Sequence, residues 1–182
     1  MLREIFSFVC GQQHNWAVGG GELPFCQRCT GLYVGAVPAL LLFLSFRPKA
    51  TNRMLWVHGM CLLVMVPFGY HLLPQTGEVR MLTGQLFAIG LVYYLTLLAA
   101  DRWSQVRKES TRGIAGYLVA SAVMLLLLQA AVIRGGPRTN ELLSWLGFTG
   151  LVLYGLLVLL NLVLLAMATT ESLRKRVQHT EL

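Results

Sequence analysis

Apolar runs long enough to cross a bilayer recur along this chain, separated by short polar connections. A membrane-spanning helix needs roughly 20 predominantly apolar residues. Five stretches approach or meet that length: Thr30 to Phe46, Met54 to Leu73, Met81 to Ala100, Gly113 to Ile133 and Leu146 to Ala168. The connections are Arg47 to Arg53, Pro74 to Arg80, Asp101 to Arg112 and Arg134 to Glu141. The alternating ten-residue strands of a membrane barrel are absent, and in lipid only helices or closed barrels satisfy the backbone. The pattern therefore predicts an all-α, polytopic membrane helical bundle of about five transmembrane helices. Residues 30–168 form the bundle, residues 1–29 a Cys/His-bearing segment at the membrane interface, and residues 169–182 a basic cytoplasmic tail. Met1 to Val9 lacks the apolar core and the Ala-x-Ala site of a signal peptide. Its Ile5, Phe6 and Phe8 suit the membrane interface instead.

Composition agrees. The chain is 55% hydrophobic and 13% charged, about half the charge fraction of a soluble domain, and its mean hydropathy is +0.61. The net charge of +7 invites a nucleic-acid reading, but its distribution argues for a membrane. Ten of the fifteen Lys and Arg fall on one side of the alternating connections: Arg47, Lys49, Arg53, Arg102, Arg107, Lys108, Arg112, Arg174, Lys175 and Arg176. Arg3, Arg28, Arg80, Arg134 and Arg138 fall on the other. That bias predicts a plasma (inner) membrane protein with its N-terminus outside and its C-terminus in the cytoplasm. The basic loops would then meet anionic headgroups. No nucleic-acid fold signal accompanies them. Trp56, Trp103 and Trp145 stand at span edges, where amphipathic rings anchor a bundle.

Within the spans, Gly31-x-x-x-Gly35 and further glycines predict close helix packing. Gln129 and Asn161 lie at membrane depth and are expected to bond a neighbouring helix. No Asp, Glu, Lys or Arg sits mid-span, which weighs against ion or proton transport.

Candidate chemistry gathers near the start of the chain. Cys10 and His14 are four apart, and Cys26 and Cys29 form a CxxC pair just before span one. Together these four can supply tetrahedral zinc ligands. Gly19, Gly20 and Gly21 let the backbone fold the two pairs together. A CxxC at a helix N-terminus also suits a redox dithiol, since the helix end stabilises a thiolate. On an oxidising outer face the same cysteines can form a lasting disulfide. His71, Glu78 and Arg80 share that face as possible contributors, with Glu78 and Arg80 expected to pair and tie the loop down. Arg28, between the cysteines, is expected to meet Glu22 or a phosphate headgroup. Cys61 reads as a small buried hydrophobe in span two, and His58 and His179 have no evident role.

The run Leu23-Pro-Phe-Cys-Gln-Arg-Cys-Thr-Gly-Leu-Tyr-Val-Gly35, preceded by Cys10-Gly-Gln, resembles the signature of a prokaryotic membrane-protein family. That family is known as domain of unknown function 2085. Glu78-Val-Arg-Met-Leu-Thr-Gly84 is similar to its second motif. Gly11 stands where the family commonly carries a histidine, with His14 three residues on. The resemblance implies a small multi-span membrane protein and little about activity. Three functional readings follow from the residues. One is a membrane protein with a structural metal site, zinc being the metal, on Cys10, His14, Cys26 and Cys29. The second is a thiol-disulfide oxidoreductase using Cys26 and Cys29, with quinone as its cofactor. The third is a scaffold or transport accessory held by a static disulfide.

Overall fold

The computed structural model describes residues 4–6, 14–70, 72–103 and 113–180. After a helical turn at residues 4–6 come two strands, β1 (Asn15–Val18) and β2 (Gly21–Cys26), paired antiparallel. This hairpin was not foreseen from the sequence. Its two-residue turn uses Gly19 and Gly20 at φ +58° and +84°. Two successive positive φ values match the twist of paired strands, and glycine adopts them without steric cost. Val18, Leu23 and Phe25 are buried beneath the hairpin.

Among the described residues, six helical segments follow. α1 (Gln27–Phe46) is one continuous helical run, with a π-helical turn at Thr30–Val34. Pro38 removes the N–H that would reach the Val34 carbonyl, and the widened turn lies immediately before it. α1 ends at Arg47, which adopts the left-handed conformation at φ 46°. α2 (Asn52–Leu63) is capped by the Thr51 hydroxyl, which accepts from the Met54 amide at 3.3 Å. α3 (Met65–Gly69) continues it after a break at Val64. Pro67 supplies the reason, because it has no N–H for the Leu63 carbonyl. α4 (Gly77–Trp103), α5 (Gly113–Arg134) and α6 (Pro137–Thr180) complete the chain.

Among the described residues, four segments are long and apolar enough to cross a membrane: Gln27–Phe46, Gly77–Leu97, Gly113–Arg134 and Pro137–Thr170. The α2–α3 pair also runs the depth of the bundle. It leaves the end marked by Phe46 and Arg47, and at the hairpin end the Phe68 carbonyl meets the Arg28 side chain. The first span expected at Thr30 begins three residues earlier, and the second, expected to reach Leu73, stops being helical at Gly69. The polar connection expected over Arg134 to Glu141 shrinks to Gly135 and Gly136, because Pro137 opens α6. Proline is well suited to a first helical position, where its missing N–H would have no partner.

The elements alternate between two ends. The hairpin, residues 72–76 and the α5–α6 turn share one end. There Gln129 donates to the Glu78 carbonyl at 3.1 Å, and Asn140 donates to the Val18 and Gly21 carbonyls at 3.1 and 2.9 Å. The Arg47–Thr51 connection and the start of α5 share the other, where Gly116 packs beside Phe46. As expected, Asn161 bonds a neighbouring helix, donating to the Leu95 carbonyl at 2.7 Å.

The core joins the hairpin to the bundle. Phe6 packs against Phe25 with ring centroids 4.8 Å apart and against Tyr33 at 5.6 Å. Phe6 is fully buried, so it belongs to the core and not to the membrane interface. Phe8 lies outside the described residues.

Asn140 clamps the hairpin turn through two side-chain donors. Asn140→Ala removes both bonds, each worth about 0.5–1.5 kcal/mol. Faster hydrogen exchange across residues 15–26, with α1 to α6 unchanged, is the expected result. Unchanged exchange in the hairpin would refute it.

Candidate functional site at the hairpin end

β2 delivers Cys26 directly to the start of α1. Cys26 is extended at φ −68°, ψ 164° and serves as the N-cap. Its sulfur accepts the amide N–H of Cys29 at 3.4 Å. The bond and the helix end both favour negative charge on sulfur. Cys26 is 2% exposed and Cys29 is half-buried. The Thr30 hydroxyl donates to the Cys26 carbonyl at 3.0 Å and buttresses the turn.

The hairpin returns His14 to the same place. Asn15 pairs with Cys26, and the Gln27 amide donates to the His14 carbonyl at 2.8 Å. The His14 backbone is thus docked on the start of α1, while the His14 residue is exposed. Among the described residues, no group of three or more His, Cys, Asp or Glu side chains gathers as a metal-binding cluster. Cys10 and His71 lie outside the described residues.

Arg28 plays a part that sequence spacing did not foretell. Its Nη2 donates to the Phe68 carbonyl at 2.6 Å and to Gln75 Oε1 at 2.8 Å. Gln75 Nε2 donates to the same Phe68 carbonyl at 2.6 Å. A cation at a helix C-terminus satisfies free carbonyls and complements the helix dipole. Arg28 therefore fastens the end of α3 to the start of α1.

Glu78 and Arg80 do not pair. Both lie on α4, two residues apart, and positions i and i+2 do not face each other on a helix. Glu78 is exposed, Arg80 is half-buried, and Arg80 Nε is buried without a hydrogen-bond partner.

The two cysteine- and arginine-bearing stretches pack on each other. A Cβ on Gly31 would strike the Met81 carbonyl oxygen, and a Cβ on Gly84 would strike the Arg28 carbonyl oxygen. Backbone-to-backbone approach of this kind requires glycine on each side. It places Cys29, Arg28, Arg80 and Thr83 around one helix crossing.

Two polar residues escaped the sequence reading. Gln85 is fully buried and neither of its amide atoms has a protein partner. His58 is also fully buried. Its Nδ1 lies 2.8 Å from the Met54 carbonyl and its Nε2 lies 3.0 Å from the Tyr117 hydroxyl. The ring stacks on Tyr93 at 3.8 Å. An ionisable side chain at membrane depth was the available signal. Cys61 is half-buried, less enclosed than expected.

Residues 10–94 match the family described as Predicted membrane protein (DUF2085). No curated protein and no solved structure gives a match to the chain.

Proposed function

From the likeness of residues 10–94 of this multi-pass membrane chain to the family of predicted membrane proteins described as DUF2085, we propose that its hairpin end is a zinc-bound structural clip. Cys10, His14, Cys26 and Cys29 supply the ligands, and the metal fastens the N-terminal segment to the first span. The observation that carries this reading is the hairpin register. Asn15 opposite Cys26, and the His14 carbonyl on the Gln27 amide, bring the His14 backbone to the CxxC pair. His14 is exposed, and the Cys29 N–H on Cys26 Sγ supports a metal-bound thiolate. In the same reading the hairpin end faces outward from the plasma membrane. The basic connections face the cytoplasm and its anionic headgroups.

Metal analysis of the purified full chain tests the proposal. One zinc per chain is expected, falling to none in Cys26→Ser, with a lower melting temperature after chelation. A metal-free preparation with unchanged melting sinks it.

A second reading rests on the position of Cys26 as cap of a helical run twenty residues long. That geometry suits a thiol-disulfide oxidoreductase exchanging electrons with quinone. Thiol trapping in the presence of an added quinone separates the two. Cycling of Cys26 and Cys29 between dithiol and disulfide supports redox chemistry, and a fixed state rejects it.

A further inference from the structure

At the end of the bundle opposite the cysteines, a groove of about 270 Å³ opens between α2 and α4. Asn52, Leu55, Trp56, Gly59, Leu63 and Tyr94 line it. Its size falls just below the roughly 300–1,000 Å³ typical of small-molecule pockets. It is a narrow apolar slot with one polar end. Trp56 is 71% exposed, so its ring forms an open wall and not part of the core. The Tyr94 hydroxyl is committed to the Leu55 carbonyl, to which it donates at 2.7 Å. Gly59 keeps the floor low, since a Cβ there would already lie 3.2 Å from that hydroxyl.

The polar end carries positive charge from two sources. Asn52 opens α2, and the first turn of that helix has no acidic residue. Arg53 sits in the same turn, exposed. It is three residues before Trp56 and so shares that face of the helix. A cation at a helix N-terminus opposes the helix dipole. An anion placed there would satisfy the cation, the dipole and the free amides together. Charge and shape thus call for one molecule with an anionic head and a long apolar tail.

We propose that this groove is a binding site for an anionic phospholipid of the surrounding bilayer. One acyl chain lies along Leu55, Gly59 and Leu63 against Trp56. The phosphate rests on Arg53, the Asn52 amide and the first turn of α2. The site stands apart from the cysteines and holds whether or not they bind metal.

Trp56 provides the readout. The full-length protein is reconstituted in vesicles containing equal mole fractions of either brominated phosphatidylglycerol or brominated phosphatidylcholine. The Trp56 signal is taken as the difference from Trp56→Phe. Bromine on the acyl chain of the anionic lipid is expected to quench about fivefold more effectively, the preference one basic residue near a membrane surface gives. The preference should shrink with added salt and vanish in Arg53→Gln, whose exposed side chain leaves the helix packing intact. Gly59→Leu, which fills the slot, should reduce quenching by both lipids. Equal quenching by the two lipids overturns the proposal. Quenching by neither, or a preference that survives Arg53→Gln, overturns it as well.

Discussion

Gly84→Leu will leave little or no correctly folded protein in the membrane. The backbone of α1 lies directly on this position: a Cβ would meet the Arg28 carbonyl oxygen and approach the Leu32 amide at 3.0 Å. Neither neighbour is a flexible side chain that can step aside. α1 and α4 must separate, and separation pulls apart the Gly31–Met81 approach as well. Overpacking a tight core costs about 1–3 kcal/mol even where side chains can adjust, and here only backbone can move. Separation also withdraws the helix start from beneath Cys26 and Arg28. Thermal unfolding of detergent-purified protein should show the collapse, with Gly84→Ala already measurably destabilised. A Gly84→Leu variant that melts like the natural chain would show that α1 and α4 do not cross here.

His58→Leu is expected to cost about 1–3 kcal/mol, the penalty of leaving a buried hydroxyl without its partner. A carbonyl oxygen only accepts, so His58 Nδ1 carries the proton toward Met54, which leaves Nε2 to accept from the Tyr117 hydroxyl. The ring thereby links α2 to α5 while stacking on Tyr93 of α4. Leucine preserves bulk but orphans Tyr117 in the bundle interior. Tyr117→Phe removes the orphan, so His58→Leu with Tyr117→Phe should be less destabilised than the two single losses added together. Coupling between residues in direct contact runs to about 0.5–3 kcal/mol. Strictly additive losses in a melting or denaturant series would mean that the two side chains do not interact.

The two motifs that carried the family resemblance acquire a physical meaning from these contacts. Gly31 and Gly84 let two backbones touch, Arg28 holds the end of α3, and Thr30 braces the Cys26 turn. Much of the Cys-x-Arg-Cys-Thr-Gly run is thus accounted for by assembling helices, independent of any metal or redox role for the sulfurs.

The membrane class, the helical bundle and the rough place of each long helix were determined by the sequence alone. Runs of Leu, Val and Ala leave lipid as their only comfortable solvent, and in lipid the backbone must bond within the segment. Asn161 was legible for the same reason, because a lone amide at membrane depth must find a neighbouring helix. The hairpin was not. Its β2 is six residues long, with a proline inside, and its stability comes from Phe6, Tyr33 and Asn140, which are distant in sequence. Only the tertiary structure decided that His14 docks beside Cys26, that Arg28 serves a helix end, and that Glu78 and Arg80 turn apart. Each depends on where backbone groups lie across elements, which spacing along one chain does not encode. His58 had no partner within reach in sequence, and its Tyr117 lies 59 residues on. Periodicity locates elements because burial is a local average, whereas a site is a set of specific distances between elements.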